Sequence, residues 1–423
     1  MEAIGRGYRF MEMEKRKKLQ FRIDLVLTVL FIGMIFFFLI GTIVFGQGLW
    51  GRTFYIKYVG EYLEDRYNYT PWEWLEASKL SLDNYISSNL YGTSTLGQIN
   101  STFQYALGKR LVSTGGAQMI RLNTGHLYDL QDEKSMEAGR DDVLRLLSVV
   151  PEETPVLFLY EHPTLYDEDA QMPKGYEFMD FSAREADEII GMLRDSGLEV
   201  IDSREVVKEA GLELDEFLMR TDNHWATRAP LTMARTIAGR IAEVTGVDIP
   251  VERLQLEQFD TEVHSKIFLG KYGQRVGTIV AEPDDIVTYT PKYDTHIQLS
   301  TSQRGDASEA EGRFEDVCLR KDVLKLAKGE SWNTVAYRDY GLIEDYDILH
   351  NEDGADLSIL LVRDSFGAPI GRFLSLVAKD VCSVELRTYY GGTMSQWLEK
   401  SNPDIVVIAY SLQMLRNENY VFE

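Results

Sequence analysis

The chain has 423 residues, 44% hydrophobic and 26% charged, and 67 Asp and Glu against 44 Lys and Arg give a formal charge of −23. That composition excludes wholesale disorder, collagen-like repeats and a polytopic membrane protein, and it leaves room for one large domain or two ordinary ones. The acidic balance argues against a nucleic-acid partner, because nucleic-acid binders display basic patches.

Charge is unevenly spread. Residues 1–24 hold seven basic side chains (Arg6, Arg9, Lys15, Arg16, Lys17, Lys18, Arg22) and four acidic ones, a net +3, so residues 25–423 carry −26. The segment Leu25–Phe45 has no charge and is dense in Phe, Ile, Leu and Val. A run of that length crosses a bilayer of ~30 Å at ~1.5 Å rise per residue. A buried core helix or a cleaved signal peptide are the alternatives. A core helix seldom stays uncharged for so long, and the exit Val44-Phe45-Gly46-Gln47-Gly48 lacks a small-x-small cleavage pattern. The reading is therefore an uncleaved, single-pass anchor in the cell membrane. The basic flank places residues 1–24 in the cytoplasm as a basic tail and everything after Gly46 outside the cell, with Trp50, Phe54 and Tyr55 as an interfacial belt. Two cysteines, Cys318 and Cys382, exclude a disulfide scaffold and offer no zinc spacing. They are expected as free buried thiols, with a single bridge as the alternative.

Residues 46–110 read as a helical juxtamembrane stalk, and 111–423 as the extracytoplasmic domain. Gln118–Leu122 and His126–Leu130, joined through Asn123-Thr124-Gly125, predict a β-hairpin. Then Val156–Tyr160 reads as a buried strand, Ser182 starts a helix that Gly197 ends, and Leu198–Asp202 is the next strand. A helix follows over 229–244. Ser358–Val362, a helix over 369–378, Val381–Leu386 and Asp404–Tyr410 complete an alternation that predicts an α/β fold with a mostly parallel sheet covered on both faces. The stretch 248–345 breaks the alternation and reads as an insertion beside the cleft.

In an open α/β sheet, sites form at the carboxyl ends of strands. Ser365, in Val362-Arg363-Asp364-Ser365-Phe366-Gly367, follows such a strand and precedes a helix. Backbone N–H groups there suit an oxyanion. A helix N-cap is the plainer use of a serine at that place. Thr221-Asp222-Asn223-His224-Trp225 supplies the second element. A serine hydroxyl needs an imidazole to take its proton, and the imidazole needs a carboxylate to orient it. Asp222 and His224, two residues apart on a turn, can meet that need, although Asp222 also fits an N-cap. His162, beside Glu161 past a strand end, is the reserve histidine. His126 lies in the hairpin, and His264, His296 and His350 fall in the irregular region. No histidine spacing supports a metal site.

Together, Asp222-Asn223-His224-Trp225 and the downstream Arg363-Asp364-Ser365-Phe366 resemble SGNH-hydrolase-like proteins of the alginate O-acetyltransferase (AlgX/AlgJ) type, within it the DHHW branch. The likeness covers roughly residues 110–423. It extends to Val384-Glu385-Leu386-Arg387 and Tyr389-Tyr390. Asn223 stands where that branch has His. The resemblance implies Asp222 as the orienting acid, His224 as the base and Ser365 as the nucleophile of an acyl-enzyme. The backbone N–H of Phe366 and the side chain of Asn333 are candidate oxyanion donors, and Arg387 is a candidate substrate contact. No metal and no cofactor are implied. The expected partners are a glycan acceptor (exopolysaccharide or cell wall) and a polytopic membrane acyltransferase that delivers the acetyl group. A carbohydrate esterase with the same triad, and a non-catalytic scaffold for polysaccharide assembly, are the competing readings.

Overall fold

The computed structural model describes residues 2–45, 93–114, 117–130, 132–162, 172–303, 305–319, 321–324, 345–387 and 391–416. The expected aromatic belt at residues 50–55, the stalk up to residue 92, Asn333, Tyr389 and Tyr390 lie outside them. The chain divides into two compact units, residues 1–97 and 98–423.

In the first unit, α1 (Glu2–Phe45) is one continuous helix. Within it Lys15–Phe38 is long and apolar enough to cross a membrane, with a mean hydropathy of 2.2 and none of its most apolar window buried in the protein. Leu27, Phe31, Phe36 and Ile40 are all exposed. A core helix would bury that surface, so the core-helix alternative is excluded.

The second unit is α/β. Helix α2 (Thr93–Ala106), most of which belongs to this unit, precedes a small antiparallel sheet of β1 (Leu111–Thr114), β2 (Ala117–Arg121) and β3 (Leu127–Asp129). The β2–β3 pair is the expected hairpin, and Gly125 turns it at φ 92°. Next come α3 (Glu137–Leu147), β4 (Val156–Glu161), α4 (Ser182–Asp195), β5 (Glu199–Asp202), α5 (Ser203–Glu209) and α6 (Arg228–Thr245). Then follow β6 (Phe259–Phe268), α7 (Lys271–Val276), β7 (Asp284–Pro291), β8 (Ile297–Gln303), β9 (Asp306–Gly312), β10 (Tyr346–His350) and β11 (Ala355–Arg363). The last are α8 (Ala368–Leu374), β12 (Ala378–Val384), α9 (Met394–Ser401) and β13 (Ile405–Ser411).

Eight strands form the central sheet in the order β5-β4-β13-β11-β12-β10-β8-β9. The first five are parallel and the last three antiparallel. Alternate residues of each parallel strand face opposite cores. Leu157, Leu159, Leu361 and Val407 join one core under α6 and α8. Phe158, Tyr160, Val362 and Ile408 join the other with Val143 of α3, Ile189 of α4 and Trp397 of α9. Both faces are covered, which is why these strands read as unbroken apolar runs.

Three expectations need correcting. The 248–345 stretch is not merely inserted beside the sheet, because β8 and β9 extend it through β10. Their polar, alternating sequence suits an antiparallel margin wet on one side, and that polarity hides them among turns. His350 lies on β10 rather than in an irregular region. The helix expected over 369–378 ends at Leu374, since Ala378 already pairs in β12. Cys318 and Cys382 are free and buried, and burial pushes their thiols up to about 12 and about 11.

Candidate active site

The site forms where the parallel strands end. Register places Arg363 of β11 beside Ala409 of β13, and Ser411 of β13 beside Glu161 of β4. Beyond Arg363 the chain turns through Asp364, Ser365, Phe366 and Gly367 into α8. A β-carbon on Gly367 would lie 2.7 Å from the Arg363 β-carbon, so no other residue fits without displacing the turn. Arg363, Asp364 and Phe366 are buried, whereas Ser365 is partly exposed. Ser365 is not a helix cap, since the residue preceding α8 is Gly367 and no side chain caps it.

The second element is the loop between Leu218 and Trp225, closed by a bridge between those two residues. Met219 N–H donates to the His224 carbonyl at 3.1 Å and Ala226 N–H to the Phe217 carbonyl at 2.9 Å. Trp225 is fully buried, donates its indole N–H to the His162 carbonyl at 2.7 Å, and meets Phe366 edge to face at 5.8 Å. It locks the loop to the end of β4 and to the serine turn.

Three side chains from these elements meet. His224 Nδ1 lies 2.6 Å from Asp222 Oδ1, and His224 Nε2 lies 2.9 Å from Ser365 Oγ. A carboxylate only accepts, so Nδ1 carries the ring proton and Nε2 is left as the acceptor for the serine hydroxyl. Asp222 is not a helix cap: α6 is preceded by Thr227 without a side-chain cap. Burial alone would push the Asp222 carboxyl up. Hydrogen bonds from His224 and from the Lys271 N–H, the latter at 2.7 Å, outweigh it and hold the group below its ordinary value. It is therefore ionised at neutral pH.

Sequence reasoning missed the clamp behind this carboxylate. Asp284 Oδ1 accepts from the Arg220 N–H at 2.5 Å and Oδ2 from the Thr221 N–H at 3.0 Å, and the Thr221 hydroxyl also donates to Oδ2. Burial pushes the Asp284 carboxyl up to about 6. The Thr221 carbonyl in turn accepts from the N–H groups of Tyr272 and Gly273, both at 2.9 Å. Gly270 passes so close that a β-carbon there would lie 2.4 Å from the Asp222 β-carbon. A lone Asp in β7 and a Gly before a short helix give no sequence signal of this.

The remaining candidates are placed differently. Phe366 N–H donates to Asp364 Oδ1 at 2.9 Å, so that carboxyl group already takes it. Arg387 donates from Nε to Glu385 Oε1 at 2.8 Å, and its charge acts on the buried Glu161. His162 is fully buried against Tyr160, with 3.2 Å from Nδ1 to the phenol oxygen. His126 packs on Asp215, His264 near Glu262, His296 on Glu311, and His350 between Asp380 and Glu352. Among the described residues no cluster of His, Cys, Asp and Glu could hold a metal ion.

Residues 163–317 match the family model described as an SGNH hydrolase-like domain of acetyltransferase AlgX. The match includes Asp222 and His224 but ends before Ser365. No curated protein matches the chain in sequence. Among solved structures, a DHHW family protein from Eubacterium siraeum is similar with TM-score 0.56 and 15% identity, over 74% of this chain and 95% of that one. PatB1 of Bacillus cereus, solved with a sulfonyl adduct, is similar with TM-score 0.57 and 14% identity, over 72% of this chain and 97% of that one. The resemblance to AlgX-type proteins thus has a counterpart in the family model over residues 163–317, and the two solved structures share the fold over about three quarters of this chain.

Proposed function

We propose that the chain is a membrane-anchored extracytoplasmic O-acetyltransferase that acetylates a glycan through a covalent intermediate on Ser365. The observation that carries the reading is His224 bridging Asp222 and Ser365 at 2.6 and 2.9 Å, on an SGNH-like fold. The family match supports the acetyl group, and the exposed apolar helix α1 supports an anchor with residues 1–24 in the cytoplasm.

Ser365 Oγ attacks the carbonyl carbon of an acetyl donor while His224 Nε2 takes the hydroxyl proton. Asp222 stabilises the imidazolium that forms. Collapse of the tetrahedral intermediate breaks the bond to the leaving group, which departs with the proton from Nε2, and leaves acetyl on Ser365. A sugar hydroxyl then attacks that ester, its proton passes to Nε2, and the product leaves with the acetyl group as Ser365 regains its proton. Acetyl-CoA is an intracellular metabolite, so a polytopic membrane acyltransferase is the expected source of acetyl groups. The acceptor is an exopolysaccharide or cell-wall glycan.

The full-length chain in detergent, given an activated acetyl ester with and without oligosaccharide, tests the reading. Faster discharge of acetyl-Ser365 to sugar than to water establishes a transferase. Equal discharge whatever the sugar indicates an esterase. Absence of any adduct, with activity in cells unaffected by Ser365→Ala, indicates a scaffold.

A further inference from the structure

Directly beneath the serine turn lies an acid that the mechanism does not use. Glu161, the last residue of β4, has no exposed surface, and neither of its carboxyl oxygens meets a hydrogen-bond donor among the described residues. Its neighbour Asp364 is the opposite case. Asp364 Oδ1 accepts from Phe366 N–H, while Oδ2 accepts from Ser411 N–H at 3.0 Å and Ser411 Oγ at 2.6 Å. Asp364 thus has three donors where Glu161 has none among the described residues. Ser411, which donates to Asp364, is the residue paired with Glu161 across β13 and β4, so the two carboxyl groups are neighbours. A carboxyl with neither solvent nor a donor is held at least cost as the neutral acid.

We propose that Glu161 is a positioning residue that keeps its proton at neutral pH and donates it to the Asp364 carboxylate, fixing the Asp364–Phe366 turn on which Ser365 stands. The role rests on Ser365 being the nucleophile; the protonation does not. Gly367 shows how close the contact is, since a β-carbon there would lie 3.1 Å from Glu161 Oε1. The charged groups facing Glu161 are Asp364 past β11, Arg363 on β11 and Arg387 past β12. Burial and the Asp364 charge outweigh the two arginines and hold the Glu161 carboxyl well above its ordinary value. A protonated Glu161 ties β4 to the turn without a second negative charge under the serine. If ionised, it would repel Asp364 and loosen the acceptor that holds Phe366 N–H and Ser411.

Two readouts on the full-length chain in detergent test this. The first is the infrared difference spectrum at neutral pH between wild type and Glu161→Gln. An un-ionised carboxylic acid band in wild type, lost in the variant, supports the protonated acid; a carboxylate band in its place overturns it. The second is the rate at which a sulfonyl fluoride labels Ser365. Glu161→Gln keeps an N–H for Asp364 and should slow labelling by less than about threefold, whereas Glu161→Ala should slow it by on the order of 10²-fold, the usual cost of a misplaced group. Equal loss in both variants, or wild-type labelling in Glu161→Ala, overturns the positioning role. Failure of wild-type Ser365 to label overturns the nucleophile reading and that role with it, while the infrared band still decides the proton.

Discussion

The two halves of the central sheet differ in what they can support. In the parallel half, β5-β4-β13-β11-β12, both faces are covered and neighbouring strands all point one way. Their carboxyl ends therefore gather at one edge, where Glu161, Ser411 and the Ser365 turn meet. In the antiparallel half, β10-β8-β9, successive ends alternate between edges and β9 is exposed along nearly its whole length. Parallel strands require crossover connections, and those connections are what concentrate polar side chains at one rim. The chemistry sits on the half that is harder to build.

Substitutions should separate the halves in a graded way. Ser365→Ala, at the parallel rim, should abolish the acetyl adduct seen by intact mass while leaving the thermal midpoint unchanged. Asp222→Asn should keep the fold but slow acylation by about 10⁴-fold in single-turnover kinetics, because the amide favours the wrong imidazole tautomer. Gly270→Ala forces a β-carbon into Asp222 and should cost about 1–3 kcal/mol of stability by chemical denaturation, along with most of the activity. Glu309→Lys, on the exposed β9, should shift stability by no more than about 0.5 kcal/mol and leave acylation alone. A large loss from the last variant would break the contrast.

Legibility followed sequence distance. Asp222 and His224 were readable because two residues on a turn are neighbours whatever the fold, and Ser365 because an apolar strand ending in a polar turn marks a rim. The hairpin at 118–130 and helix α4 were readable from local turn and stop signals, with Gly125 and Gly197 both at positive φ. The proximity of Glu161 to the Asp364 turn, and the clamp of Asp284 on Thr221, join residues far apart in the chain. The first depends on β13 lying between β4 and β11, which no local pattern announces. Phe366 shows the same limit from the other side: its N–H stood in the right place by sequence, but Asp364 takes it.

The most direct test of the central claim is peptide mapping of the covalent adduct on the full-length chain after brief exposure to an activated acetyl ester. The account predicts acetyl on Ser365, absent from Ser365→Ala and formed far more slowly in Asp222→Asn. Stable acetyl on another residue, or an undiminished adduct in Ser365→Ala, would contradict it.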